Sequence, residues 1–249
     1  MRLTRVYVEE ALAPGASRAV AGSAATHITR VLRLERGATL TLFDGRGGEY
    51  AARIEDLRKD RVLVNVGEHS PIERESPLGI VLAQGISRGE RMDLVVQKAT
   101  ELGVRRIVPV VTERTVVRLD QRQADNRLRH WRAIAIASCE QCGRNTLPLI
   151  DAPLRLNEWL RGASRELAGN DQLTQVMLSP DAARGVRELA PGLGGFLVLI
   201  GPEGGLGEHE QTVALAAGFQ ALALGPRILR TETAAIVALA ALQKQYGDL

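Results

Sequence analysis

A glycine-rich segment in the last quarter of the chain is the strongest candidate for chemistry. The sequence LVLIGPEGGLG at 197–207 places an apolar strand directly before Gly201, Glu203, Gly204 and Gly205. Glycines let a backbone approach a ligand closely, and ligands of open α/β sheets bind beyond the carboxyl ends of strands. The spacing matches neither the dinucleotide-binding G-x-G-x-x-G pattern nor a P-loop. The segment predicts a ligand-binding loop, with a plain strand-to-helix turn as the alternative.

A second polar loop follows in the sequence LGPRILRTETAA at 224–235. It again ends a strand in Gly-Pro and precedes an apolar helix, which a threonine on either side of Glu232 would cap. Arg230 and Glu232 have no packing reason to lie there, although a capping segment with solvated charges is the alternative. A third strand ends at 178–180, in Leu-Ser-Pro. Three such ends on one sheet are expected to enclose one ligand.

The only two cysteines stand in a C-x-x-C pattern, Cys139 and Cys142. No second cysteine pair is present, and a redox pair would begin a helix rather than end one, so zinc and thioredoxin-type sites are both disfavoured. Two thiols packed on a helix is the favoured interpretation. The neighbouring Arg144 and Asn145 offer donors and acceptors that suit base recognition. The serine-hydrolase, zinc-protease and kinase motifs are absent, and we expect no metal.

The composition favours an ordinary globular protein over a membrane-spanning or disulfide-rich one. The chain has 249 residues, of which 45% are hydrophobic and 24% charged, as in ordinary globular proteins. No apolar run approaches the roughly 20 residues that span a bilayer, and the first residues lack the apolar core of a signal peptide. With two cysteines, a disulfide framework is also disfavoured. We expect a cytoplasmic protein without a membrane partner.

Charge is distributed unevenly along the chain. Residues 77–165 hold 15 basic and 9 acidic side chains, a net charge of +6, whereas residues 166–249 hold 5 and 9, a net charge of −4. Almost all the basic residues are arginine, whose planar fork suits phosphates and base edges. A general bias towards arginine is the alternative. The pattern favours a polyanion that meets one surface.

The elements that must position these residues fall into two groups. Residues 1–72 predict short strands with tight turns, hence a small β-barrel. Within them, a helix at 27–34 carries Arg30 and Arg33 on its solvent side. A linker is predicted at 71–77. From there to residue 249 strands and helices alternate, which predicts a parallel sheet covered on both faces.

Individual elements follow from periodicity and from glycine and proline positions. The predicted strands of the first group span 3–8, 38–43, 49–54 and 62–66. Those of the second span 79–83, 106–111, 176–178, 196–200 and 221–224. The predicted helices of the second group span 90–102, 124–142, 154–167, 207–217 and 231–246. The last helix is apolar on most of its surface, which favours a two-fold interface between copies; burial within one subunit is the alternative.

The motifs, in their order, resemble one family. GISRGERMDLVVQKATELGV, CEQCGRN, LIGPEGGL and LGPRILRTETA are similar to segments of the bacterial RsmE proteins, and HITRVLRL and LFDG also lie where that family has them. Those proteins are 16S ribosomal RNA uridine-N3 methyltransferases of the SPOUT superfamily. The resemblance covers essentially the whole chain.

The resemblance implies both a fold and an activity. It implies an N-terminal PUA-like β-barrel that binds RNA, a C-terminal α/β domain with a deep trefoil knot, and a homodimer. It also implies S-adenosylmethionine as the methyl donor and 16S ribosomal RNA, free or in the small ribosomal subunit, as the substrate. A non-catalytic RNA-binding assembly factor and a nucleotide-dependent enzyme acting on small molecules are the alternatives.

The resemblance also implies which residues form the site, at the positions that match the family's motifs. The resemblance places the donor pocket at Leu178, Ser179, Leu199, Ile200, Gly201, Glu203, Gly204, Gly205, Leu224, Gly225, Ile228, Leu229, Arg230, Thr231, Thr233 and Ala234. For catalysis, Arg230 is expected to stabilise charge on the uridine carbonyl oxygens, and Glu232, with Glu203 as second choice, to accept the N3 proton. The residues expected to bind RNA are Arg30, Arg33, Arg88, Arg144 and Asn145.

Overall fold

The computed structural model describes residues 4–115, 120–162 and 172–249. The chain forms two compact units. The first contains the residues up to Glu75 together with Ile136–Leu147, and the second contains Ser76–Ala135 and Pro148–Leu249. The linear division at 72 and 77 therefore leaves out one segment, Ile136–Leu147, which lies in the middle of the sequence but packs with the N-terminal residues.

The first unit contains a five-stranded sheet in the order β1-β3-β4-β5-β2. Its strands are β1 Arg5–Tyr7, β2 Ser17–Ala21, β3 Thr39–Phe43, β4 Glu49–Leu57 and β5 Arg61–Ser70. β1 pairs with β3 in parallel, and the other pairs are antiparallel. Alternate residues of β5, Val62, Val64 and Val66, are fully buried in the core. This period-2 burial is typical of a sheet with one face turned to the core.

The predicted helix at 27–34 is shifted in the structure. A short helix α1, Gly22–Thr26, continues as one wide π turn, His27–Val31. Arg30 and Arg33 are exposed, as predicted, but Arg33 lies beyond the helix with a φ of 51°. The apolar Val31, at the end of the wide turn, is 65% exposed.

The second unit is built on a seven-stranded sheet whose strand pairs are all parallel. The strands are β6 Ile80–Gly85, β7 Arg106–Val111, β8 Leu149–Ile150, β9 Leu154–Arg155, β10 Leu173–Leu178, β11 Gly195–Ile200 and β12 Gln220–Leu222. Their order is β12-β10-β11-β6-β7-β8, with β9 paired to β7. This confirms the predicted α/β class with a parallel sheet.

Helices cover the sheet of the second unit. They are α2 Glu90–Glu101, α3 Gln121–Cys142, α4 Leu156–Arg161, α5 Glu208–Ala216 and α6 Thr231–Tyr246, with a 3₁₀ turn at Val186–Glu188. Both faces of strand β11 are buried, one in each of two core clusters, so its residues are apolar on both sides. Val198 and Ile200 pack into one core cluster with Met92 and Leu239, whereas Leu199 packs into the other with Trp159.

The helix predicted at 154–167 and the predicted knot have different outcomes. The helix predicted at 154–167 begins as strand β9 and is helical at Leu156–Arg161, after which residues 163–171 lie outside the described part of the chain. The trefoil knot stays a prediction. Within the described residues, no helix combines the length and the apolar character that crossing a membrane requires.

Candidate functional site

The three strand ends singled out by the sequence meet at one cavity. β12, β10 and β11 are neighbours in the sheet, so the segments that follow them lie side by side. They enclose a cavity of about 550 Å³. Its lining residues are Arg91, Arg114, Leu178, Ser179, Pro180, Asp181, Ile200, Gly201, Pro202, Glu203, Gly204, Gly205, Leu206, Gln211, Leu222, Leu224, Gly225, Arg227, Ile228, Leu229, Arg230, Thr231, Glu232 and Ala234.

Most of the predicted donor-pocket residues line this cavity, and two do not. Leu199 is fully buried in the core cluster on the opposite face of the sheet, because strand residues alternate and its neighbour Ile200 takes the cavity side. Thr233 is exposed on the first turn of α6. Neither residue lines the cavity, and their place in the donor pocket stays a prediction. Both Arg230 and Glu232 lie in the lining.

The glycine loop has little space for side chains. A Cβ on Gly201 would lie 2.8 Å from the carbonyl carbon of Gly205, closer than real Cβ contacts allow. Gly205 itself has a φ of 70°, a conformation that side chains disfavour. Arg114, which follows β7, donates a 2.8 Å hydrogen bond from Nη1 to the Gly204 carbonyl. The loop is therefore folded tightly and fixed from a neighbouring strand end.

A buried network joins the glycine loop to α6. Thr231 Oγ1 donates a 2.6 Å hydrogen bond to the Gly201 carbonyl. Gln84, at the end of β6, donates from Nε2 to Thr231 Oγ1 at 3.0 Å. Gln84 is fully buried and Thr231 is 7% exposed. Because buried hydrogen bonds are costly to break, this network fixes two walls of the cavity relative to each other.

Two carboxylates lie beside one guanidinium in the cavity wall. Arg91 Nη1 donates to Glu203 Oε1 at 2.7 Å, and Arg91 Nε lies 3.9 Å from Glu232 Oε1. The backbone N–H of Arg88 also donates to Glu203 Oε1, at 3.0 Å. Burial raises the pKa of Glu203, but hydrogen bonds from its own backbone N–H, from the Arg88 N–H and from Arg91 outweigh it and lower that pKa below its ordinary value. Glu203 is therefore held ionised.

Sequence reasoning missed part of the wall. Arg91 lies in the first turn of α2, Arg114 follows β7, Asp181 follows β10 and Arg227 follows β12. The same rule that identified the other segments applies to β7, since it is also a strand of the parallel sheet that ends beside the cavity. Arg91 lies further from its strand end, beyond the loop that follows β6, in the first turn of α2, which packs against α6.

Two residues predicted to bind RNA are buried. Arg144 is 3% exposed and donates to Glu75 from Nε at 3.0 Å and from Nη2 at 2.6 Å. Asn145 is fully buried, accepts from Arg5 at 2.6 Å and donates to the Ile72 carbonyl at 2.6 Å. Both side chains hold the first unit together, so neither is available to a base edge. Their assignment to RNA stays a prediction, which this burial does not support.

The remaining RNA candidates are accessible. Arg30, Arg33 and Arg88 are all exposed. Of these, Arg88 adjoins the cavity, since its backbone N–H bonds Glu203. Arg227 and Arg230, on the cavity wall, are exposed as well.

The cysteines behave as packing residues. Both thiols are free, and Cys139 is fully buried. Burial raises the pKa of the Cys139 thiol to about 12, so it stays protonated and unreactive near neutral pH. No group of three or more metal-ligating side chains occurs among the residues that the structure describes.

The known proteins and family models that are similar to this chain are all described as RNA methyltransferases. A family model described as an RNA methyltransferase domain matches residues 74–243, and a second, described as an RNA methyltransferase PUA domain, matches residues 20–67. Ribosomal RNA small subunit methyltransferase E of Bacillus subtilis is 30% identical over 98% of this chain and 95% of its own length. The protein of that name from Buchnera aphidicola (Acyrthosiphon pisum) is 31% identical over 99% and 95%.

Solved structures are similar over the whole chain. A methyltransferase from Legionella pneumophila in complex with S-adenosylmethionine (SAM) is 41% identical, covers 100% of both chains and has a TM-score of 0.93. The ribosomal RNA small subunit methyltransferase E of Neisseria gonorrhoeae, bound to SAM, is 38% identical over 99% of both chains with a TM-score of 0.88. The protein belongs to the ribosomal RNA small subunit methyltransferase E family.

Proposed function

We propose that the protein transfers a methyl group from SAM to N3 of a specific uridine in 16S ribosomal RNA. The observation that carries this proposal is the cavity in which Arg230 and Glu232 lie beside a closely folded glycine loop. Two similar structures hold SAM. A protein that only bound RNA would need neither the carboxylate nor the loop, so the assembly-factor alternative has no support in this site.

The cavity suits SAM in size and in chemistry. Its volume of about 550 Å³ falls within the range of small-molecule sites. Apolar side chains of Leu178, Ile200 and Leu224 line it beside Asp181 and the glycine-loop backbone. Apolar side chains suit an adenine ring, whereas a carboxylate suits ribose hydroxyls and an ammonium group. The residues present therefore fit the donor.

The chain's own residues supply the proton chemistry. When bound, SAM supplies an electrophilic methyl group on a sulfonium sulfur. Glu232 accepts the N3 proton, the nitrogen electron pair forms the bond to the methyl carbon, and the carbon–sulfur electron pair remains on sulfur. Arg230 stabilises the negative charge that develops on the uridine carbonyl oxygens. Glu203 is the poorer acceptor because two hydrogen bonds to Oε1 hold it ionised.

RNA contact is shared between the two units in this proposal. Arg30 and Arg33 of the first unit provide exposed cations for phosphates, and Arg88, Arg227 and Arg230 do so around the cavity of the second. A base must leave its stack to reach the cavity, which favours a loop or a junction in folded RNA. We place this activity in the cytoplasm, on 16S ribosomal RNA or on the small subunit that contains it.

We also propose that the protein acts as a homodimer through α6. Leu239 and Leu242 of this helix are buried within the chain, whereas Val237 on another face is 39% exposed. A single exposed apolar residue is common on a monomer, so the homodimer rests on the resemblance to the RsmE family, which implies one. Light scattering at micromolar concentration should report twice the mass of one chain. A monomer would contradict the dimer.

Methyl transfer in vitro tests the proposed activity. Small subunits from cells that lack this protein, incubated with the wild-type protein and SAM labelled in the methyl group, should acquire label that digestion identifies as 3-methyluridine. Glu232→Gln should reduce the rate at least about 100-fold, within the range that one general base contributes. Label at another base, or none with wild-type protein that binds SAM, would overturn the proposal.

A further inference from the structure

Helix α3 carries a row of exposed arginines in the part that belongs to the second unit, Gln121–Ala135. This stretch contains four arginines, one histidine and one carboxylate. Three of the arginines, Arg122, Arg129 and Arg132, are exposed. With about 3.6 residues per turn, positions seven and ten apart lie on the same side of an α-helix. The three guanidinium groups therefore share one face, which we call the arginine face.

The arginine face is not neutralised by the protein. Within the described part of the chain, none of its three guanidinium groups forms an ion pair. Arg129 donates a hydrogen bond to the neutral amide of Asn126. Asp125, the one carboxylate of this stretch, accepts from Gln121 at 3.1 Å. Like charges a turn apart weaken a helix slightly, so helix stability does not explain this arrangement.

This part of α3 extends beyond the first turn of α2. The two helices follow β6 and β7, which pair in parallel, so both begin at the carboxyl edge of the sheet. His130 Nε2 lies 2.8 Å from Asp93 Oδ2, so these two residues are level along the two helices. Nine residues of α3 precede His130, whereas three of α2 precede Asp93. At about 1.5 Å per residue, α3 begins about 9 Å further out than α2.

Burial along α3 agrees with this projection. No residue from Gln121 to His130 is buried, and Trp131 is the first residue of the helix that enters the core. The projecting end is closed by its own cap, since Asp120 Oδ1 accepts the backbone N–H of Gln123 at 2.7 Å. The helix therefore holds the arginine face in solvent on a regular support.

The cavity opens at the same edge of the second unit. It lies beyond the carboxyl ends of β12, β10 and β11, and Arg114, which follows β7, belongs to its lining. β7 is two strands from β11, a separation of about 10 Å across the sheet. An RNA strand that brings one base to the cavity therefore passes close to the projecting end of α3.

We infer that the arginine face of α3 binds phosphates of the substrate RNA next to the nucleotide that enters the cavity. The inference rests on the proposed function, which supplies the identity of the polyanion. Exposed guanidinium groups without a carboxylate partner are free to bind phosphate oxygens through two parallel hydrogen bonds. Four arginines against one aspartate give this stretch a charge of +3, as large as the net charge of the whole chain. Attraction for RNA is therefore concentrated on this surface.

The salt dependence of RNA binding tests this surface in the full-length protein. The probes are purified 16S ribosomal RNA and small subunits, both from cells that lack this protein. The combined variant Arg122→Gln, Arg129→Gln and Arg132→Gln should bind both at least about tenfold more weakly and lower the slope of log affinity against log salt by about 2, since each phosphate contact contributes about 0.7–0.9. SAM affinity, measured by calorimetry, should equal that of wild type.

Two matched variants control for charge and for folding. Lysine at the same three positions keeps the charge and binds phosphate as a point charge, so most of the slope should return. Glutamine at Arg155, Arg161 and Arg187, exposed arginines of the same unit outside the cavity lining, removes the same net charge and should leave the slope near its wild-type value. Glutamine retains helix propensity, and circular dichroism checks each variant.

The outcomes separate the inference from the proposed function. Equal slopes in the two glutamine variants would overturn the inference, because net charge alone would explain the effect. A loss of affinity for small subunits without a loss for purified RNA would assign the face to a ribosomal protein and overturn it as well. The proposed function fails separately, if the wild-type protein transfers no methyl group, and the slopes still decide whether α3 binds RNA. A slope that falls only when the arginine face is neutralised, and returns with lysine, supports the inference.

Discussion

Thr231 Oγ1 donates a 2.6 Å hydrogen bond to the backbone carbonyl of Gly201, joining the helix of one cavity wall to the glycine loop of another. The same hydroxyl accepts from Gln84 at 3.0 Å. Thr231→Val keeps the shape but removes both bonds, so the Gly201 carbonyl keeps only the 3.5 Å bond from Gln84 Nε2, which also donates to the Gly85 carbonyl at 3.1 Å. We expect stability to fall by about 1–3 kcal/mol and SAM affinity to fall with it.

Thr231→Ser is the control for that prediction because it retains the hydroxyl. Denaturant unfolding and calorimetric titration with SAM measure the two effects. Equal affinity in Thr231→Val and wild type would show that the cavity does not depend on this network.

The close backbone contacts within the glycine loop can be tested by adding a methyl group to Gly201. A Cβ on Gly201 would lie 2.8 Å from the Gly205 carbonyl carbon, so Gly201→Ala must displace the loop. We expect SAM affinity, measured by calorimetry, to fall at least about tenfold, which corresponds to about 1.4 kcal/mol. Gly162→Ala is the matched control, since among the described residues its added Cβ would meet only the Glu158 carbonyl, at 3.9 Å. Unchanged affinity in Gly201→Ala would remove this loop from the donor site.

Because Arg30 and Arg33 of the first unit are exposed, we expect them to contribute to the salt dependence of RNA binding. Arg30→Ala with Arg33→Ala should weaken RNA binding and flatten its dependence on salt concentration, because each phosphate contact contributes to that slope. SAM affinity should be unchanged. A double variant at Arg155 and Arg187, exposed arginines of the other unit outside the cavity lining, controls for net charge. Equal slopes in the first variant and wild type would mean that the RNA contact uses other residues.

Arg144 is predicted to act on stability instead of RNA binding. Its guanidinium is 3% exposed and pairs with Glu75, whose side chain is 28% exposed. Arg144→Met should lower the free energy of unfolding by about 2 kcal/mol, less than the 3–5 kcal/mol of a fully buried pair because Glu75 is partly solvated. RNA affinity of the folded variant should match wild type. A selective loss of RNA affinity at full stability would restore the original assignment.

Local patterns predicted most of the fold. The strand predicted at 106–111 is β7 Arg106–Val111, and the helix predicted at 231–246 is α6 Thr231–Tyr246. Strand β2, Ser17–Ala21, was missed because its sequence SRAVA has a single buried residue and no apolar alternation. The segment Ile136–Leu147 joins the first unit through pairings such as Glu75 with Arg144, which no local pattern reveals.

The candidate site was predictable at its loops and not at its helix. The three loop segments carry glycine, proline and charge at strand ends, which is a local signal. That β12, β10 and β11 are neighbours is a long-range property, which no local pattern reveals. Arg91 reaches the cavity because α2 packs against α6, and Arg144 is buried although arginines are mostly exposed. Both depend on tertiary packing.

Mass mapping of 16S ribosomal RNA tests the central claim most directly. RNA from cells that lack this protein should lose one 3-methyluridine that wild-type cells contain, and expression of the wild-type chain, but not of Glu232→Gln, should restore it. A 16S ribosomal RNA whose 3-methyluridine content is the same with and without the protein would contradict the claim.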